Sequence, residues 1–548
     1  MKIVLAQLNY HIGNFETNSD KIIEAINKAK SKNADLVVFS ELAICGYPPK
    51  DLLERKDFIE KTLHAIDQVA SHCVDIAAVI GGPSINPHSK GKKLYNSAFF
   101  ICDGKVQSIH NKTLLPTYDI FDEYRYFEPN TEYNLVEYKG KKIAITICED
   151  LWEKQAVDNN FAKEELYTTS PMEKLSLLKP DFVVNIAASP FSHNQKNIRT
   201  EILQDVSKRY QLPLIYVNQI GANTELIFDG DSMAINSKGD VACRLNYFEE
   251  DFSLIDLNEI ENQKAEEKEV DYIEKIHDAL VLGLKDYFGK MGFKQATLGL
   301  SGGIDSAVTV VLAERALGKE NVRVLLMPSE FSSDHSVKDA IDLANNLGIQ
   351  YEIVPIQDIF KSFENSLAPI FGDLPFNIAE ENIQARVRGT LIMGLSNKFG
   401  HIVLNTSNKS ESAVGYGTLY GDMNGGIAVL GDVYKTDVFK LAYFMNKDEE
   451  VIPLNSIVKP PSAELRPDQK DSDSLPDYDI LDEILFMYIE KNMPVSEIIE
   501  QGFAKEIVEK IIRLVNMNEY KRFQTAPVLR VSSKAFGYGR KIPLVAKH

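Results

Sequence analysis

Short apolar runs alternate with amphipathic stretches through the first half of the chain. Lys2–Leu8, Ala34–Leu42, Val74–Gly81, Tyr95–Ile101, Lys142–Cys148, Phe182–Ala187, Leu214–Gln219 and Ser232–Ile235 have strand length, whereas Ser19–Lys32 repeats its apolar residues at helical spacing. The alternation predicts a layered α/β unit. Around Asp256–Lys268 the pattern gives way to polar and charged residues. One unit is therefore expected over residues 1–258, a linker over 259–270 and a second unit over 271–548. Beyond the linker the pattern predicts a helix Asp271–Phe288, strand Ala296–Leu300, glycine loop Ser301–Ser306, helix Ala307–Gly318, strand Asn321–Pro328 and helix His335–Leu347. Strand Tyr351–Ile356, long helix Ala379–Phe399 and strand His401–Thr406 follow. Such βαβα order predicts a doubly wound, Rossmann-like parallel sheet with its sites beyond the strand carboxyl ends. Pro460–Pro476, rich in Pro, Asp and Ser, reads as a mobile surface loop.

The 548 residues are too many for a single hydrophobic core, and 44% apolar with 25% charged residues excludes disordered and fibrous classes. A formal net charge of −19 repels polyanions, so no nucleic-acid partner is expected. The five cysteines are odd in number and widely spaced with no C-x-x-C, which argues against a disulfide framework or zinc cluster and for a reducing cytoplasm. The apolar runs are strand-sized, so neither a signal peptide nor a membrane span is expected.

Ser301-Gly302-Gly303-Ile304-Asp305-Ser306 joins an apolar strand to an apolar helix, where backbone N–H groups and the helix dipole attract anionic oxygen. No lysine follows as in a Walker A loop, and no G-x-G-x-x-G follows a strand. In the first half, Glu41 closes one apolar run, Lys112 follows the strand-like Ala98–Ile109 with its Gly104 turn, and Cys148 ends another run. A thiol that attacks an amide needs a base and a neighbouring cation, and Glu and Lys supply them. Taken alone, Cys148 reads as an inert buried thiol, and Glu411 and Lys435 as solvated charges. The segment Tyr520–His548 holds Lys521, Arg522, Arg530, Lys534, Arg540, Lys541 and Lys547 with no acid, either offsetting the net charge or meeting a phosphate-rich ligand.

The glycine loop resembles that of the N-type ATP pyrophosphatases. Met327–Ile349, Glu381–Gly389, Asn405–Gly426, Gly431–Phe439, Lys459–Leu465 and Ser533–Pro543 resemble, in order, the motifs of the NAD synthetases in that family. That resemblance implies adenylation of the deamido-NAD carboxylate by ATP, with Mg²⁺, followed by attack of ammonia. It implies ATP contacts from Ser301, Gly302, Gly303, Asp305, Ser306, Arg386, Thr406, Lys435 and Ser462. Asp305 and Glu411 would hold the metal, and Asn382, Asp422 and Lys534 would meet deamido-NAD.

FSELAICGYPP, HNKTLLPTYDIFDEYRYF and ITICEDLW resemble the nitrilase/amidase superfamily over about the first 250 residues. A four-layer αββα sandwich is implied, with Glu41 as general base, Lys112 as transition-state stabiliser and Cys148 as nucleophile. Tyr118 and Ser189 would seat glutamine, Glu123 would support the triad, and Arg199 would meet the glutamine carboxylate. Where that branch has Gly-Lys after Ser-Pro-Phe, Asn194-Gln195 stand here. Together the halves resemble the glutamine-dependent NAD synthetases, which implies a small-molecule enzyme without membrane or nucleic-acid partners, an ammonia channel, and a homo-oligomer built on a synthetase-domain dimer. Two other readings remain: the same chemistry on a purine nucleotide acceptor, or one half serving as a degenerate regulatory domain.

Overall fold

In the first half, strands covered on both faces read as unbroken apolar runs: Ile3–Ala6, Ala77–Ile80 and Val183–Ile186 have almost no exposed surface. The computed structural model describes residues 1–154, 166–193, 197–266, 270–467, 469–473 and 475–547. Asn194, Gln195 and residues 267–269 of the expected linker lie outside the described residues. The chain divides into two compact units, one of Met1–Phe191, Gln195–Asn223 and Ile227–Glu269, the other with Val270–His548 as its body.

In the first unit the strands are β1 (Lys2–Gln7), β2 (Leu36–Val38), β3 (Ala77–Ile85), β4 (Leu94–Cys102), β5 (Lys105–Asn111), β6 (Val136–Tyr138), β7 (Lys141–Ile147), β8 (Phe182–Ala187) and β9 (Leu214–Asn218). A hairpin of β10 (Ile220–Asn223) and β11 (Leu226–Asp229) leads to β12 (Met233–Ile235), β13 (Val241–Arg244) and β14 (Asp251–Asp256). Two six-stranded sheets result, ordered β14-β1-β2-β3-β4-β5 and β13-β12-β9-β8-β7-β6. Their centres are parallel, β1-β2-β3 and β7-β8-β9. Side chains from both, including Ile3, Val38 and Val79 with Ile145, Val184 and Ile215, form one core. Helices α1 (Phe15–Ser31) and α2 (Lys56–Ala70) pack against the first sheet, while α3 (Pro171–Ser176) and α4 (Ile198–Tyr210) belong to the second half. The expected αββα sandwich is thus present, and β2 is shorter than the apolar run Ala34–Leu42 because the chain turns after Val38 to present Ser40 and Glu41.

The second unit opens with α5 (Tyr272–Met291), whose N-cap Asp271 accepts a hydrogen bond from Ile273 N. Next come β15 (Ala296–Gly299), α6 (Ile304–Leu317), β16 (Val322–Leu326), α7 (Asp334–Leu347), β17 (Gln350–Ile353), α8 (Gln357–Phe371), α9 (Ile378–Phe399), β18 (Ile402–Asn405), α10 (Lys409–Val414), β19 (Ile427–Ala428) and α11 (Lys435–Met445). The sheet order β17-β16-β15-β18-β19, parallel throughout, is doubly wound. Its winding reverses between β15 and β18, where a doubly wound sheet opens its crevice. After α12 (Leu454–Val458), helices α13 (Tyr478–Leu485), α14 (Val495–Glu500) and α15 (Lys505–Met517) enclose a satellite core of Leu481, Ile484, Ile498, Val508 and Ile511, and α16 (Glu519–Arg522) follows.

Two expectations need correction. Helix α6 begins at Ile304, not Ala307, so the acidic Asp305 stands in its first turn. Helix α8 was not foreseen, because Pro369 and its exposed polar face obscure the period.

Candidate functional site

In the first unit, β2, β5 and β7 end at neighbouring points and deliver Glu41, Lys112 and Cys148 from the loops that follow. Lys112 Nζ donates to Glu41 Oε1 at 2.8 Å and to Glu123 Oε1 and Oε2 at 2.9 and 2.8 Å. The lysine side chain is 0% exposed, Glu41 1% and Glu123 6%, so water screens none of these charges. Asn96 Nδ2 on β4 donates to Glu41 Oε1 at 2.7 Å and Tyr47 Oη donates to Glu123 Oε1 at 2.9 Å. Ala188 N, at the end of β8, donates to Glu41 Oε2 at 3.0 Å. The carboxylates and the ammonium are therefore fixed in place.

Cys148 sits at φ +43°, a left-handed conformation that costs a non-glycine residue about 1–3 kcal/mol. Strain of this kind clusters at functional sites. Burial, and then the Glu41 charge, push the thiol well above its usual range, with Lys112 opposing. Burial alone would discharge Lys112, but Glu123 and Glu41 outweigh it and hold the ammonium charged. Burial also raises Glu123. The resting pair is thus a protonated thiol beside a permanent cation.

Next in sequence, Glu149 accepts hydrogen bonds from Tyr118 Oη and Tyr167 Oη, both at 2.8 Å, and burial lifts its carboxyl to about 7. Tyr118 thus joins the cluster through Glu149. Ser189 follows Ala188 and its N–H donates to Asn218 Oδ1 at 2.8 Å. Arg199 on α4 is turned elsewhere: Nη1 lies 3.0 Å from Asp229 Oδ1 and 3.9 Å from Asp231 Oδ2. An incoming carboxylate would have to compete with these two for its charge. Asn96, Glu149, Asp150 and Tyr167 were not foreseen, since a strand asparagine and residues in an ordinary turn carry no signal in one sequence.

In the second unit the loop after β15 turns at Gly302, φ +79°, where a Cβ would stand 2.1 Å from Ser336 O. Only glycine fits there. Ser301 Oγ lies 3.1 Å from Ser306 Oγ and accepts from Gly303 N at 3.2 Å, so both hydroxyls gather beneath the N-terminus of α6. Asp305 accepts from Asn408 Nδ2 at 2.8 Å and from Lys435 Nζ, which also reaches Glu411 Oε1 at 3.3 Å. Asn408 caps α10 and accepts from Glu411 N at 2.9 Å, a capping box readable as Asn408-x-x-Glu411 although it was not singled out. Burial and then Asp305 push the Glu411 carboxyl up to about 8, and Lys435, charged through Asp305 and Glu411 despite burial, is held well above its usual value. Two partly exposed carboxyl groups share one lysine, and a hard cation arriving beside them would favour the ionised form of Glu411. Among the described residues no three His, Cys, Asp or Glu side chains converge on a metal position.

The remaining candidates make contacts of their own. Asn382 and Asp422 are joined by Thr418, whose Oγ1 donates to Asn382 Oδ1 and whose N donates to Asp422 Oδ1, both at 2.6 Å. Thr406 follows β18, and Arg386 is exposed with Nε on Leu419 O at 3.2 Å. Arg388, not foreseen, donates to Met327 O at 3.0 Å beyond β16, and burial lowers it to about 10. Ser462 Oγ donates to Gln469 O within its own loop. That loop is held down, since Glu464 accepts from Ser333 Oγ and Ser336 Oγ at 3.0 and 2.6 Å. The backbone oxygen of Lys534 accepts from Lys409 Nζ at 3.0 Å, and the basic tail serves α10: Arg522 Nη1 reaches Ser412 O and Ala413 O, and Lys521 Nζ reaches Gly415 O and Gly417 O. These cations satisfy the last carbonyls of the helix carrying Glu411.

Comparison with known proteins agrees with this division. The carbon–nitrogen hydrolase family matches residues 2–265 and the NAD synthase family residues 276–525. A glutamine-dependent NAD(+) synthetase of Synechocystis is 46% identical over 99% of this chain and 98% of its own, and one of Thermotoga maritima 38% identical over the same shares. The solved structure of the glutamine-dependent NAD+ synthetase from Acinetobacter baumannii in complex with adenosine diphosphate superposes with a TM-score of 0.78 at 41% identity, over 99% of this chain and 98% of that one. With both family patterns in the same order and nearly half of its residues shared along almost the full length of a relative, the chain belongs to the glutamine-dependent NAD(+) synthetases.

Proposed function

We propose that the chain makes NAD from deamido-NAD in two coupled reactions, one in each unit. The observation that carries the reading is the buried lysine held by two carboxylates at each centre, beside a strained cysteine in one and an anion-binding loop in the other. In the first unit the Cys148 sulfur attacks the glutamine amide carbon while its proton passes to Glu41. Lys112 meets the oxyanion, the proton moves on to the departing nitrogen, and ammonia leaves a γ-glutamyl thioester. Water, deprotonated by Glu41, opens the thioester to glutamate and restores the thiol. Tyr118, Glu149 and Ser189 line the approach, and Glu123 holds Lys112.

In the second unit a deamido-NAD carboxylate oxygen attacks the α-phosphorus of ATP, and the bond to the β-phosphate breaks. Ser301, Gly302, Gly303 and Ser306 receive pyrophosphate, and Lys435 neutralises its charge. Asp305 and Glu411 would hold Mg²⁺, which when bound supplies further charge neutralisation on the phosphates. Arg386, Thr406 and Ser462 remain ATP contacts, Ser462 by exchanging its bond to Gln469. Asn382, Asp422 and Lys534 face deamido-NAD, to which Arg388 is added. Ammonia attacks the acyl carbon of the adenylate and AMP departs.

Ammonia is mostly protonated in neutral water, which favours delivery from Cys148 to the adenylate through protein. Apolar side chains left uncovered around α8 and α9, among them Phe363, Ile370, Leu374 and Ile378, support assembly with a second copy through the synthetase unit. Five free thiols fit a reducing cytoplasm, and among the described residues no helix is long and apolar enough to cross a membrane. The test is NAD formation from glutamine, Mg·ATP and deamido-NAD with an ammonia scavenger present. Continued synthesis supports confined transfer, and complete loss shows release to solvent.

A further inference from the structure

Asp150 stands two residues after the nucleophile, yet its side chain belongs to a different contact set from Cys148 or Glu149. Its Oδ1 accepts from Thr113 N and Leu114 N, both at 2.9 Å, and its Oδ2 accepts from Ile147 N at 3.0 Å. The first two donors directly follow Lys112, and the third directly precedes Cys148. A single buried carboxylate thus ties the backbone that carries the cation to the backbone that carries the sulfur. Asn185 Nδ2, donating to Cys148 O at 3.4 Å, is a weaker tie on the same turn. None of this contact set is Glu41, Glu123 or a group assigned to glutamine.

We infer that Asp150 is a positioning residue for the amidase reaction, setting the distance between the Lys112 ammonium and the Cys148 sulfur and holding the left-handed backbone at Cys148. The inference rests on the proposed role of Cys148. A carboxylate is the side chain suited to the task because it only accepts, at both oxygens, and all three facing groups donate. Burial raises its carboxyl to about 7 despite those bonds, so the carboxylate is held against desolvation by the very N–H groups it joins.

The discriminating variant is Asp150→Asn, which keeps volume and shape but turns an NH₂ toward one side of the clamp. In the full-length protein, kcat for glutamine hydrolysis is expected to fall about a hundredfold, as misplacement of a reacting pair by about 1 Å does. KM for glutamine stays within twofold, and the rate of Cys148 alkylation by iodoacetamide changes, while ammonia-driven NAD synthesis and the thermal midpoint remain those of the parent. Asp150→Glu keeps the charge but shifts both oxygens by one methylene, and it too must lower kcat; it serves if the asparagine variant does not fold. A kcat within twofold of the parent in either folded variant overturns the inference, and so does a loss carried by KM. Cys148→Ala, run alongside, separates the two claims: if it keeps glutamine-driven synthesis, the nucleophile assignment itself is wrong.

Discussion

Both centres set a buried lysine between two carboxylates, and they differ in what surrounds the acids. Around Lys112 the partners Glu41 and Glu123 are 1% and 6% exposed; around Lys435 the partners Asp305 and Glu411 are 19% and 16% exposed. The first cluster is complete without a ligand. Covalent chemistry at a sulfur needs its cation and base already placed, and hydrogen bonds from Asn96, Tyr47 and Ala188 leave them little freedom. In the second, Asp305 and Glu411 keep part of their surface exposed, which leaves room for a cation to join Lys435 there. A third buried lysine, Lys409, sharpens the contrast. It is bound by Asp432, Glu490, Ser532 Oγ and Lys534 O, with carboxylates 0% and 1% exposed, and it anchors α10.

The comparison can be broken at several points. Cys148→Ala removes the covalent step, so glutamine-driven NAD synthesis should fall by about 10⁴-fold or more while ammonia-driven synthesis persists, measured as NAD formed with either nitrogen source. Lys435→Met and Asp305→Ala act on the other centre. Each should lower synthesis from glutamine and ammonia alike by about 10²–10³-fold, with glutamine hydrolysis still measurable as glutamate release; selective loss of the glutamine route would overturn the division of labour. Gly302→Ala forces a Cβ against Ser336 O at a positive φ, and chemical unfolding should show the synthetase unit weakened by about 1–3 kcal/mol.

The smallest effect concerns pH. Burial and Glu41 keep the proton on Cys148, so the thiolate fraction at any given pH is below that of an ordinary cysteine. Alkylation of Cys148 by iodoacetamide should therefore be slower at pH 7 than that of a free thiol and keep rising beyond pH 9 without a plateau. A plateau near pH 7 would mean that the lysine governs the thiol instead of the carboxylates.

Much of the architecture was legible in order and type. The strand–loop–helix at Ala296–Leu317, the alternation that became a doubly wound sheet, and the apolar runs of both sandwich sheets follow from local period and composition. Less legible was anything set by a partner far along the chain. Arg199 is expected to meet the glutamine carboxylate until β11 brings Asp229 to it. The basic tail reads equally as an offset to the net charge or a ligand surface until Lys521 and Arg522 are found closing the end of α10. Pro460–Pro476 reads as a loose loop, yet Glu464 holds it to the start of α7 and Asp471 accepts from Tyr416 Oη and Tyr478 Oη.

By itself the sequence determined which residues can do chemistry, because nucleophile, base, cation and anion-binding turn each need a residue type at a strand end, and strand ends are local features. Tertiary structure alone decided which charges are spent on one another. Burial, and the energy of an ion pair inside the protein, depend on groups brought together from far apart along the chain, such as Lys112 with Glu41 or Lys409 with Ser532. No window along the chain contains that information.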